Sequence, residues 1–375
     1  VEHFNLAGAY ANSGARADQE FVREAVLDSV RHHLIADVPV GVFLSAGIDS
    51  AAVLALARDA GGMPESVTLG FSEFEGQARD EAPLAASIAA QYQSRHHIRR
   101  VERAEFENDL PAILAAMDQP SIDGINTWFV AKAARELGWK VALSGLGGDE
   151  LFGGYPSFRD LPNWTRWLSW SRSMPRLGQW AGRLIGRMAR HPKAQGMLRY
   201  GGTWAGVYFL RRGLFMPWEL DAERPSWLPS DPEAIVESLQ SLERMLRPDP
   251  GSAHARVSVL ETGSYMRNQL LRDSDWASMA HSIELRVPLV DSELSQRLAP
   301  RMPAAATVPG VPKSALAMAP AQPLSEAIIC RPKTGFETPV ASWIRSPGAD
   351  SREPWARTWA RQIVQRDGSA MASAA

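Results

Sequence analysis

The 375 residues suggest about two domains, and 45% apolar against 22% charged residues supply a sizeable core. A formal net charge of −2 gives no overall pull toward nucleic acid or an anionic membrane, and no apolar run approaches the roughly 18 residues of a membrane-spanning helix. The single cysteine, Cys330, excludes an intrachain disulfide framework and fits a reducing, cytoplasmic setting; it reads as a small buried residue.

In chain order, Gln19 to Ala36 reads as an amphipathic helix, with Phe21, Ala25, Val26 and Val30 near one face. Val38 to Leu44 is a short β-branched run suited to a strand buried on both sides. Helical spacing follows over Ile48 to Arg58, then a strand at Ser66 to Phe71, a helix at Glu81 to Tyr92 and a weak strand at His97 to Val101. Helices over Phe106 to Met117 and Thr127 to Leu137 precede a strand at Lys140 to Ser144. Strands alternating with helices predict an α/β fold, a mostly parallel sheet with helices on both faces.

From Asp160 onward the text changes. Trp164, Trp167 and Trp170 recur at helical spacing, and between Asp160 and Arg212 one acidic residue stands against ten Lys or Arg. This predicts an inserted helical subdomain whose basic face is solvated surface or, alternatively, a docking face. The expected organisation is a lead-in over 1–15, an α/β core over 16–159, the Trp/Arg-rich insertion over 160–250, the rest of the core over 251–348 and a fraying tail over 349–375.

Ligands of parallel sheets bind outside the carboxyl ends of the strands, and chemistry-bearing residues stand at two such ends. In "LSAGIDS", Gly47 permits close backbone approach, Ser45 and Ser50 offer hydroxyls, and the amides opening the next helix favour an anion. Asp49 would repel bare phosphate, which implies an intervening Mg²⁺; a serine-glycine turn with Asp49 as a helix cap is the plainer alternative. In "LSGLGGDELFGGY", Ser144 and Gly145 open a glycine-dense loop carrying Asp149 and Glu150, so that Asp49 and Asp149 could hold one metal from two sides. No G-x-x-x-x-G-K-[ST] occurs, which excludes the common ATPase loop. Further along, "RDSDWASMAHSIELRVPLVD" crowds charges around Met279, Ile283, Leu285 and Val287, which read as buried, and "RPKTGF" places Lys333 on a loop where it could reach phosphate.

Together these segments resemble the synthetase domain of the asparagine synthetase family, over roughly Arg16 to Ile344. "LSAGIDS" is similar to that family's Ser-Gly-Gly-x-Asp-Ser pyrophosphatase loop, "LSGLGGDELFGGY" to its second strand-end motif, and "SMAHSIELRVPLVD" and "RPKTGF" to its later signatures in the same order. The resemblance implies an adenine nucleotide alpha hydrolase-like fold and ATP-dependent adenylation of a carboxylate, most plainly aspartate, with pyrophosphate released and ammonia then displacing AMP. It implies ATP contacts at Leu44, Ser45, Gly47, Asp49, Ser50, Leu69, Ser144 and Gly145, and Mg²⁺ at Asp49 and Asp149. Lys333 would neutralise developing charge, and Glu284 or Glu150 would stand in as the base for the attacking nitrogen, unless the nucleophile needs none.

Three departures bear on substrate. Ala46 replaces the first glycine of the pyrophosphate loop, Leu146 stands where many members carry glutamate, and Trp276 stands where arginine is usual. Members also carry an amino-terminal cysteine nucleophile that hydrolyses glutamine, and no cysteine precedes Cys330 here. The implied partners are therefore a small-molecule carboxylate and an ammonia donor, the latter free or supplied by a separate glutaminase domain or subunit; a homodimer is left open. An amide-forming relative acting on another carboxylate or amine, and a non-catalytic nucleotide-binding subunit, are the competing readings.

Overall fold

A computed structural model describes residues 4–12, 14, 17–173, 193–219, 232–302, 311, 313–331, 338–344 and 354–374. Its centre is a five-stranded sheet in the order β3-β2-β1-β4-β5, parallel at every pairing. The strands are β1 (Val40–Phe43), β2 (Ser66–Phe71), β3 (His96–Val101), β4 (Val141–Leu143) and β5 (Glu284–Arg286). The chain winds outward from β1 through β2 to β3, then crosses back to lay β4 on the other side of β1. Strand order thus reverses between β1 and β4, the position at which a parallel sheet offers a crevice outside its carboxyl ends.

After the short α1 (Leu6–Ala11), helices cover both faces of the sheet. On one side α2 (Gln19–His33), α3 (Ile48–Asp59) and α4 (Ala82–Gln91) bury Val26, Leu54 and Ile88 with Val42 and Leu143. On the other, α5 (Arg103–Ala116) and α6 (Ile125–Glu136) pack Phe106 and Phe129 against Val67, Val101 and Ala142. Helix α2 begins where expected because the Asp18 carboxylate accepts from the Phe21 amide at 2.8 Å, a side-chain N-cap. Every residue of α3 from Ser50 to Ala57 is buried, so this helix is a central core element and its first turn is rigidly held.

The stretch expected as an insertion carries helices where described, Ser157–Leu168, Ala194–Tyr200, Trp204–Arg212 and Pro232–Met245. Trp164 packs against its small core, while Trp167 and Trp170 are exposed. Sequence reasoning missed β5, whose three residues lie among charges and turn signals; its pairing with β4 places it. Met279, expected inside, is 56% exposed, and Cys330 is exposed as well. The segment expected to fray carries a helix, Trp355–Ala374, with Trp359 and Ile363 buried in the core. No helix among the described residues is long and apolar enough to cross a membrane.

His281 is a buried structural histidine, its ring edge-on to Trp128 at 4.4 Å. Burial first, then the Lys132 and Arg135 charges, lower its pKa to about 4. A histidine with a depressed folded pKa supports stability above its unfolded value near 6.5, and that support drains away as pH falls toward 4. His281→Phe is therefore expected to narrow the gap in melting temperature between pH 7 and pH 4.5 by several degrees. An unchanged gap would contradict this assignment.

Candidate active site

The crevice at the β1/β4 switch opens into a cleft of about 320 Å³. Its floor is the turn from β1 into α3. There the Ser45 and Ser50 hydroxyls bond each other at 2.9 Å, Ser50 Oγ accepts from the Ser45 amide at 3.1 Å, and Ser45 Oγ accepts from the Gly47 amide at 3.2 Å. Thr68 Oγ1 donates to the Leu44 carbonyl at 2.5 Å and anchors the turn to β2. The two hydroxyls thus sit in a fixed frame beside the amides that open α3, an arrangement suited to phosphate oxygens. Ala46 is buried and, unlike Gln93, Ser282 and Lys313, has no positive φ, so its methyl is accommodated without strain.

The second wall is the turn from β4 into α7 (Gly148–Phe152). This loop lies so close to the first that a Cβ on Gly145 would fall 2.6 Å from the Ser50 amide nitrogen and 2.8 Å from the Asp49 carbonyl carbon. Gly147, at φ +100°, opens α7 in the left-handed region that favours glycine. Gly145 thus lets the two strand-end loops pack backbone to backbone, while Gly148 and Gly154 leave room for the Asp49 and Asp149 side chains.

Between the loops stands a residue that sequence reasoning overlooked. The Lys313 ammonium pairs with both Asp49 and Asp149, and its side chain is only 7% exposed. Burial alone would lower its pKa, but the two carboxylates outweigh burial and hold it above the ordinary lysine value. Lys313 also has φ 55°, an unusual conformation for a long side chain, directly before the helix Ser314–Ala317. Backbone strain of about 1–3 kcal/mol persists where the surroundings enforce it, often at functional sites. The available signal was a lone lysine after Pro312 and just ahead of the apolar run Ser314 to Ala317.

Of the expected residues, Leu44, Ser45, Gly47, Asp49, Ser50, Ser144, Gly145 and Asp149 all line this cleft. Leu69 does not; it is 3% exposed within β2 and belongs to the core on one face of the sheet. Glu284 is corrected too. Its Cα pairs with Val141, at the start of β4 rather than at its carboxyl end, and its carboxylate is 60% exposed and bonded to Arg286 at 2.7 Å. Lys333 lies outside the described residues. Trp276 is absent from the lining: its ring fills the space that a Cβ on Gly124 would need, and its Nε1 donates to Asp273 at 3.2 Å. The tryptophan is thus a packing residue.

The remaining lining divides by chemistry. Phe43, Leu44, Val130, Ile328 and Ile329 form an apolar wall, with Arg331 paired to Glu81 at 3.3 Å beside it. Near Asp149 the lining includes Leu146, Glu150 and Tyr155. Burial, then the Asp149 charge, push the Glu150 carboxyl up to about 7, and the Tyr155 hydroxyl donates to it at 2.9 Å. The Arg212 guanidinium, from the Trp/Arg-rich stretch, lies 4.7 Å from the Tyr155 ring and pairs with the buried Glu261 at 2.8 Å. One residue of that basic run is therefore only partly exposed and lies against a residue of the cleft lining.

Among the described residues no group of three or more His, Cys, Asp or Glu could hold a metal. Mg²⁺ needs less, since it is commonly held by one or two carboxylates with phosphate oxygens and waters completing the shell. Asp49 and Asp149, both touching one ammonium, form such a pair and fit that ion.

A model of the asparagine synthase family matches residues 21–369. The chain is 31% identical, over 91% of its length and 51% of the relative's, to a protein of Mycobacterium bovis named as a putative asparagine synthetase (glutamine-hydrolyzing). It is 28% identical, over 92% of its length and 52% of the relative's, to asparagine synthetase (glutamine-hydrolyzing) 1 of Bacillus subtilis. A shorter similarity, 32% over 37% of the chain, is to amidase chry2 of Gibberella zeae. The chain thus spans about half the length of the curated synthetases it matches.

Proposed function

This chain belongs to the asparagine synthase family, and from that premise we propose that it joins nitrogen to a carboxylate at the expense of ATP. A carboxylate oxygen attacks the α-phosphorus and pyrophosphate leaves. A nitrogen nucleophile then attacks the acyl carbon, AMP leaves and the nitrogen gives up a proton. Aspartate is the proposed acceptor and ammonia the nucleophile, the ammonia released from glutamine by a separate domain or subunit, as the relatives' names suggest.

The observation that carries this reading is the Lys313 ammonium set between two carboxylates at the switch point of a parallel sheet. Ser45, Ser50 and the amides opening α3 would receive the β- and γ-phosphates, and the apolar wall around Phe43 and Ile328 would take adenine. Asp49 and Asp149 would hold Mg²⁺, which would supply charge neutralisation at the phosphates. Lys313 would follow the negative charge that grows on the departing pyrophosphate. Product analysis tests the acceptor: with ATP, aspartate and ammonium chloride, chromatography should show asparagine in step with AMP. ATP consumption that no supplied carboxylate stimulates would overturn the reading.

A second reading, in which the acceptor is a different carboxylate, is favoured by Leu146. This leucine lines the cleft where many members place a glutamate, and it accepts no proton from an attacking nitrogen. If that lost function limits the rate, Leu146→Glu is expected to raise ammonia-dependent amide formation about tenfold, a small part of what a positioned base can supply. No change in the rate would point to the other acceptor.

A further inference from the structure

Glu150 carries a feature that the adenylation step does not use. Its side chain is buried, the residue being 2% exposed, yet it lines the cleft. Oε1 accepts from the Tyr155 hydroxyl at 2.9 Å, whereas buried Oε2 has no hydrogen-bond partner among the described residues. A buried carboxylate oxygen left without a donor is costly, and such atoms in native proteins call for an explanation. Neighbouring side chains do not supply the donor. Asp149 offers only acceptors, Leu146 is apolar, and Lys313 already serves two carboxylates. The group is also held in place: Tyr155 meets the Tyr265 ring edge-on at 6.0 Å and lies under the Arg212 guanidinium. A fixed carboxyl with one unpaired oxygen, on a residue of the cleft lining, is complementary in its ionised form to a ligand with N–H donors and positive charge.

We propose that Glu150 Oε2 seats the incoming nitrogen nucleophile, an ammonium or primary amine, by accepting one of its N–H bonds. This rests on the cleft being an amide-forming site and identifies where its second substrate docks. It also explains how a chain with Leu146 retains a polar contact for nitrogen. An acceptor carboxylate would be repelled at this point, which separates the two substrates along the cleft.

The test is a cation comparison by thermal melting of the whole chain, at equal ionic strength in sodium, ammonium or tetramethylammonium chloride. Ammonium is expected to raise the wild-type melting temperature by about 2 °C over sodium, as mass action requires of a ligand that binds only the folded state. Tetramethylammonium, which has no N–H, should match sodium. Glu150→Gln keeps the acceptor for Tyr155 but puts a donor in place of Oε2, and should abolish the rise. Should that variant not fold, Tyr155→Phe removes the hydroxyl that orients Glu150 and should at least halve the rise. No ammonium-specific rise in the wild type, an equal rise with tetramethylammonium, or a rise that survives these substitutions would overturn the proposal. The comparison needs no turnover, so it decides the nitrogen site even where aspartate proves not to be the acceptor. With turnover, Glu150→Gln should raise KM for ammonium about tenfold against less than twofold for ATP.

Discussion

Lys313→Met is expected to lower the exchange of labelled pyrophosphate into ATP by at least about a thousandfold, equivalent to roughly 4 kcal/mol of transition-state stabilisation. The ammonium is the one cation in direct contact with both Asp49 and Asp149 among the described residues. A neutral side chain of similar length keeps the volume and removes the charge that a departing pyrophosphate needs. The substitution also leaves two largely buried carboxylates without their shared cation, a change of the kind that costs about 3–5 kcal/mol. That second effect gives a readout independent of activity. The variant's melting temperature should rise with added Mg²⁺ more steeply than the wild type's, because the metal then supplies the missing positive charge. Exchange within tenfold of wild type would remove Lys313 from the reaction.

Asp149→Asn is the complementary change, and exchange should fall by at least about a hundredfold even at high Mg²⁺. The amide is isosteric and remains beside Gly154, whose missing Cβ makes room for both the Asp149 carboxylate and the Lys313 stem. Loss of one carboxylate leaves Lys313 paired with Asp49, so the folded state keeps its local charge balance and the melting temperature should move by only a few degrees. Activity therefore falls far more than stability does. Wild-type exchange in this variant would contradict the placement of the metal at these two aspartates.

The β1 and β4 turns were legible in the sequence because each joins a hydrophobic strand to a helix through hydroxyls, glycines and a carboxylate. Those local signals, with alternating strand and helix patterns, sufficed to place Asp49 and Asp149 at neighbouring strand ends. Lys313 was not legible, since it arrives from a segment more than 160 residues beyond Asp149, and a lone lysine shows its role only when the two carboxylates surround it. Glu284 misled for the converse reason. Its charge and motif context suggested chemistry, but pairing with Val141 puts it at the wrong end of β5. Leu69 was placed at the cleft by analogy alone, whereas the strand it belongs to turns it into the core. The helix at Trp355–Ala374 was hidden behind a small-residue ending, although Trp359 and Ile363 tie it to the core.

The central claim is cleavage between the α- and β-phosphates of ATP. The most direct test is ³¹P NMR of ATP turnover by the chain with Mg²⁺, ammonium chloride and a panel of carboxylates headed by aspartate. AMP and pyrophosphate appearing together, and only when a carboxylate is present, is the result expected from the Asp49–Lys313–Asp149 cleft. ADP and inorganic phosphate as the products would contradict it, because attack would then fall on the γ-phosphate and the assignment of these loops to pyrophosphate would fail.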